Sequence, residues 1–171
     1  LSHKLSAIAQ RKNQHELQSL AMARVDEAFV RPPHFVDADT DIVSVVKLFQ
    51  DERTNTVLVR DSACQPPRLG IFTHTGLQRA ILGGEPLDKL PVRGLANFSL
   101  ISVRPADHLG DALAVMIRNR VHRVVVAEVD SEGTVDSAHI VGVLEALDLF
   151  SFLSNHSYLI SIQINESSDL A

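Results

Sequence analysis

An internal repeat constrains this chain more than any other feature. Sliding the sequence by 67 positions lays Val25 on Val92, Val36 on Val103, Ile42 on Leu109, Phe49 on Met116, Val57 on Val124 and Val59 on Val126. Beyond that point the offset becomes 72, with Gly70 on Gly142 and Leu77 on Leu149. A unit of about sixty residues thus occurs twice, and repeated units bury their apolar faces against one another. The five extra residues are assigned to Val129-Asp130-Ser131-Glu132-Gly133-Thr134, a polar stretch where a hairpin loop tolerates insertion.

Each unit reads as strand, helix, strand, strand, helix. In the first, Phe35-Val36 is a short strand, Thr40 an N-cap, and Ile42, Val45, Val46 and Phe49 an apolar helix face. Thr56-Val57-Leu58-Val59 is β-branched and bounded by polar residues, which marks a buried strand. A loop from Asp61 to Arg68 leads to the returning strand Gly70-Ile71-Phe72, then a helix from about His74 to a cap at Gly83-Gly84. In the second, Ile101-Ser102-Val103 is the strand and Asp107 the cap aligned with Thr40, followed by Leu109, Ala112, Leu113 and Met116 on the helix face. Val124-Val125-Val126 and 140–144 form the paired strands, and a helix begins near Ala146.

The expected organisation is an α+β fold with two units related by a pseudo-twofold axis and flanked by helices. Its boundaries are a connector helix over 1–25, unit 1 over 26–84, a linker over 85–91, unit 2 over 92–153, and a helical segment over 154–171. The chain starts at Leu1 with no signal-peptide pattern, so it reads as part of something longer, with domains attached on both sides.

Composition narrows the functional classes. With 45% hydrophobic residues the chain can fill a packed interior, and no run approaches a membrane span. Net charge is −5 with scattered Lys and Arg, whereas a nucleic-acid surface needs a basic stripe. Cys64 is the single cysteine, so a reducing cytoplasm is the default location. The eight histidines offer no metal pair at helical spacing, and no nucleophile elbow, phosphate loop or zinc-protease string occurs. Neither catalysis nor a required cofactor is expected within these residues.

The chemistry is expected where a strand runs into a helix, at Gly70-Ile71-Phe72-Thr73-His74-Thr75-Gly76-Leu77 and at Gly142-Val143-Leu144-Glu145-Ala146-Leu147-Asp148-Leu149. A helix start gathers N–H groups with no partner inside the helix, so such a junction can hold an anion or a sugar.

The order of elements and these two motifs resemble a tandem CBS-domain pair, or Bateman module, over about residues 25 to 153. Val121-His122-Arg123-Val124-Val125-Val126 is similar to a segment of the γ regulatory subunit of the AMP-activated kinase. More weakly, Ser154-Asn155-His156-Ser157 leading into Ile160-Ser161-Ile162-Gln163 resembles a junction in a bacterial family. That family joins a cyclic-nucleotide-binding-like domain, a CBS pair and a nucleotidyltransferase-like domain, which here would follow Ala171.

The resemblance implies adenosyl ligands in two clefts and a homodimer joined through helices. The family pattern places Thr or Ser three positions after the Gly and Asp three further on. A hydroxyl and free N–H groups at a helix start suit a phosphate, and a carboxylate one turn on suits the two hydroxyls of a ribose. The first copy keeps Gly70 and Thr73 but has Gly76 in the Asp position. The second keeps Gly142 and Asp148 but has Glu145 in the Thr position. The expected ligand residues are Asp148 for ribose, Arg123 and His122 for phosphate, and Thr73, Glu145, Gly70 and Gly142 around them. Thr73 can equally cap its helix and Asp148 favour a positive helix start. Arg123 can equally pair with Asp111 or Glu128. Three functions follow: a regulatory module sensing an adenine nucleotide (AMP, ADP or ATP), a dimerisation scaffold without ligand, or the non-catalytic part of a nucleotidyltransferase.

Overall fold

The computed structural model describes residues 21–152 and, outside that stretch, positions 4, 6–8, 11 and 154, all helical. Most of the expected connector helix and helical tail lies outside the described residues. Where the first is described it ends early, and Val25–Glu27 is a 3-10 turn.

The first unit runs β1 (Phe35–Asp37), α1 (Ile42–Val46, continued by a 3-10 turn Lys47–Gln50), β2 (Thr56–Asp61), β3 (Arg68–Thr73) and α2 (His74–Gly83). The second runs β4 (Ser102–Val103), α3 (Leu109–Asn119), β5 (Arg123–Val129), β6 (Val135–Glu145) and α4, residues 146–152. Each unit holds a three-stranded sheet, in the orders β1-β2-β3 and β4-β5-β6. The registers repeat with the sequence offsets. Val36 lies opposite Val59 as Val103 lies opposite Val126, both in parallel pairs. Val57 faces Phe72 as Val124 faces Leu144, both in antiparallel pairs.

The middle strands are apolar at successive positions because both of their faces are buried. On β2, Val57 and Val59 pack with Ile42, Val45, Phe72 and Ala80. On β5, Val124 and Val126 pack with Leu109, Ala112 and Met116. Between them, Leu58 and Val125 point the other way and share one cluster with Ala127. Leu58 and Val125 are equivalents under the offset, so the units meet at their symmetry-related positions.

The segments leading into each unit cross to the other. Val25 is buried with Val103 and Leu109 of the second unit, and Val92 with Ala38 and Ile42 of the first. The crossing is reciprocal in its hydrogen bonds. The Val25 N–H donates to the Asp107 carbonyl at 2.7 Å, and the Val92 N–H to the Thr40 carbonyl at 2.8 Å. Leu109 N–H reaches the Ala23 carbonyl and Ile42 N–H the Leu90 carbonyl, each at 2.9 Å. Sequence units and packing units therefore differ by one short exchanged segment at each start.

Three local expectations are corrected. The N-cap of α1 is Asp41, whose carboxylate accepts from the Ser44 N–H at 3.0 Å, while Thr40 lends its carbonyl to the crossing segment. The α3 cap position is His108, without a side-chain bond to the helix, while the Asp107 carboxylate accepts from the Arg104 N–H. The extra residues of the second unit lengthen β6 to 11 residues against 6 in β3, and bulges near Ala127 absorb the mismatch. A longer strand keeps its backbone groups paired, which a longer loop would not. Gly84 does cap α2, with φ +74° and its N–H on the Ile81 carbonyl.

Candidate functional site: two unequal clefts

The crossing segments create the site. Ahead of β1, Arg31 makes two backbone hydrogen bonds with Val143 of β6, both 2.9 Å. Ahead of β4, Asn97 does the same with Ile71 of β3, at 2.9 and 2.8 Å. Both motif glycines lie under these crossings. A Cβ on Gly70 would sit 2.8 Å from the Phe98 ring, and one on Gly142 would collide with the Arg31 carbonyl. Gly70 and Gly142 thus serve close backbone approach, a role independent of any ligand.

Beside the first crossing lies a cleft of about 240 Å³. Ile71, Leu100, Ile101 and Val121 give it apolar walls, and Thr73, Arg79, His122 and Arg123 give it polar ones. None of its lining residues is a carboxylate. Thr73 holds the cap position of α2, yet its side chain makes no cap hydrogen bond, so the hydroxyl is not committed to the helix. Gly76 stands where a ribose-binding Asp is expected, and the packing explains the replacement. A Cβ there would lie 2.6 Å from the Phe72 ring, which is 1% exposed and packs on Phe49. The second unit has Leu144 in place of Phe72.

The second cleft, about 580 Å³, is lined by Phe29, Arg31, His34, Thr54, Asn55 and Val143 among others. Asp148, the carboxylate of the second motif, does not line this cleft and is engaged by Arg31, which does. Arg31 Nε donates to Asp148 Oδ2 at 2.8 Å and Nη2 to Oδ1 at 3.1 Å, while Nη1 donates to the Arg53 carbonyl at 2.9 Å. The fork with Asp148 holds the Arg31 guanidinium above its ordinary pKa, against the cost of its burial.

Glu145 lies between the two clefts, its side chain 6% exposed. Asn55 Nδ2 donates to Oε2 at 2.9 Å, and Arg31 Nε approaches the same oxygen at 3.7 Å. On the other side Arg123 Nε stands 3.6 Å from Oε1, too long for a hydrogen bond. Both of those atoms are buried without a hydrogen-bond partner. The carboxylate beside Arg123 is thus Glu145, not the Asp111 or Glu128 expected as its ion-pair alternatives.

The structure therefore divides the expected ligand residues. Thr73, His122 and Arg123 share the first cleft, while Asp148 is held by Arg31 of the second. Arg31 and Asn55 were missed in the sequence. The offset of 67 contained a signal for Asn55, since it aligns Asn55-Thr56 with His122-Arg123. Each pair faces the helix start of the other unit, so the basic pair belongs to the first motif and the neutral pair to the second. Among the described residues no group of three or more His, Cys, Asp or Glu side chains could hold a metal.

The CBS-domain family profile matches residues 92–155. The match falls on the second unit. With the first, that unit has the fold of a CBS-domain pair, as solved structures show. A CBS domain protein of Pyrobaculum aerophilum complexed with AMP is 24% identical, with TM-score 0.60, covering 78% of this chain and 99% of that one. The CBS domain of a CBS domain containing membrane protein from Sphaerobacter thermophilus is 19% identical, with TM-score 0.64, covering 85% and 96%. The CBS-domain pair of protein MJ0100, in complex with 5′-methylthioadenosine and S-adenosyl-L-methionine, is 17% identical, with TM-score 0.61, covering 79% and 98%. No curated protein matches the sequence. Among the described residues no helix is long and apolar enough to cross a membrane.

Proposed function

We propose that this CBS pair is a regulatory, non-catalytic module that binds an adenine nucleotide of the AMP, ADP or ATP type in its first cleft. One observation carries the reading: the free hydroxyl of Thr73 converges with His122 and Arg123 on an apolar cleft lined by no carboxylate. An adenine ring suits the Ile71, Leu100 and Val121 walls, and a phosphate suits the α2 start beside Arg123. The AMP and S-adenosylmethionine complexes of similar folds support the ligand class. With Gly76 at the ribose position, affinity rests on phosphate, and one charge-assisted contact contributes about 1.5–3 kcal/mol. Thermal-shift measurement with AMP, ADP, ATP and adenosine tests this. Nucleotides should raise the melting temperature and adenosine should not, while silence from every nucleotide would leave a scaffold.

The module is proposed to act as a cytoplasmic homodimer controlling attached domains, one of them nucleotidyltransferase-like. Large apolar side chains on equivalent helices support the dimer: Ile81 and Leu82 on α2, Leu147 and Phe150 on α4, all more than half exposed. A monomer mass by light scattering at tens of micromolar would reject it.

A further inference from the structure

The second motif keeps the carboxylate that the first lacks, yet both oxygens of Asp148 accept from one guanidinium, that of Arg31, which lines the second cleft in its place. Arg31 is fixed at both ends. Its backbone is bridged to Val143 by two 2.9 Å hydrogen bonds, and its side chain donates to Asp148 twice and to the Arg53 carbonyl. Arg31 cannot withdraw as a loop would, because withdrawal breaks the pairing with β6. Its charge is matched on the spot by Asp148 and by Glu145 at 3.7 Å, so leaving takes a cation from one buried and one part-buried carboxylate. A ribose seeking Asp148 must compete with this bidentate ion pair using two neutral hydroxyls, and charge-assisted forks are the stronger contact.

We infer that Arg31 is a specificity-determining residue: it occupies the ribose position of the second cleft, closes Asp148 to nucleosides, and leaves the chain one nucleotide site rather than two. Glu145 adds to the exclusion, because a phosphate at the α4 start meets its buried carboxylate. The inference rests on the reading of these clefts as nucleoside sites, and it concerns the second cleft alone.

Calorimetry with adenosine tests it, because adenosine carries the diol and has no phosphate for Arg123. In the wild type, Asp148→Asn should leave any adenosine heat unchanged. Arg31→Ala should tighten adenosine at least about tenfold. The gain should vanish in Arg31→Ala/Asp148→Asn and with 2′-deoxyadenosine, which lacks one diol hydroxyl. Arg31→Lys keeps the charge but not the fork, so its gain should be smaller than that of alanine. If circular dichroism shows that Arg31→Ala does not fold, the lysine variant decides. Folded variants that bind adenosine no better than wild type would overturn the inference, as would wild-type adenosine binding lost on Asp148→Asn. Wild-type AMP binding is a separate readout. Its failure would remove the proposed nucleotide site and leave the Arg31 result standing.

Discussion

The two clefts are built from equivalent pieces and reach opposite electrostatic ends. The first has three hydroxyl side chains, two arginines and a histidine on its surface, with no carboxylate among its lining residues. The second has Asp148 and Glu145 nearby, with Arg31 drawn into them. The difference arises in four substitutions between repeats: Phe72 for Leu144, which fills the space beside Gly76; Asn55 and Thr56 for His122 and Arg123; and Arg31 for Asn97, its counterpart in the backbone crossing. The Asn97 side chain carries no charge and its Oδ1 accepts from the Ser99 N–H at 2.9 Å, while the next residue, Phe98, lies under the Arg68 guanidinium at 3.9 Å. A duplicated fold thus keeps its backbone symmetry while its side chains give one open site and one self-satisfied site.

The largest expected effect tests whether the halves are equivalent at all. Val125 and Leu58 are both 0% exposed at the seam between the sheets. Val125→Asp or Leu58→Asp buries an unpaired charge and should cost more than about 4 kcal/mol, unfolding the domain. A soluble variant of either kind that melts cooperatively near the wild-type temperature would show that the seam is misplaced.

Next come the glycines, where the halves should separate. Gly142→Ala drives a methyl into the Arg31 carbonyl, part of a paired backbone that cannot swing aside. Gly70→Ala meets chiefly the Phe98 ring, a side chain able to shift. Chemical denaturation should give a loss of about 1–3 kcal/mol for Gly70→Ala and a larger one for Gly142→Ala. Gly83→Ala, with nothing within 4 Å and a helical backbone, should instead stabilise by about 0.5–1 kcal/mol. Equal losses at Gly70 and Gly142 would contradict the tighter crossing in the second unit.

Much of this was legible before any coordinates. Strand order, both hairpins and the pseudo-twofold follow from Val36/Val103, Val59/Val126 and Gly70/Gly142, because burial on two faces forces a pattern that composition preserves. The partnership of Asp148 was not legible. Arg31 lies 117 residues before Asp148, and the contact depends on the exchange of leading segments, which leaves no periodicity. The same exchange separated Arg123 from Asp148, because neighbours within one repeat face different clefts. Caps shifted by one residue for a simpler reason. Thr40 and Asp41 are both competent caps, and the carbonyl of Thr40 was claimed by Val92.

A smaller difference lies away from the clefts. Asp61 is buried under Arg93 and Arg68, and its equivalent under the offset, Glu128, is exposed. Hydrogen bonds from Arg93 first, then Arg68, lower the Asp61 carboxyl from 3.8 to about 2. Because the folded value lies below the unfolded one, the stabilisation is complete above the unfolded value and lost as pH falls through the folded one. Denaturation from pH 5 to pH 2 should show stability falling across that window. Asp61→Asn should start lower and fall less. A wild-type slope shared by Asp61→Asn would remove Asp61 as the cause.

The most direct test of unequal clefts is the stoichiometry of AMP binding by calorimetry, on the wild type, Arg123→Ala and Asp148→Asn. The account predicts one AMP per chain, weakened about ten- to a hundredfold by Arg123→Ala and changed less than about threefold by Asp148→Asn. Two AMP per chain, or a single site lost with Asp148 and kept without Arg123, would contradict it.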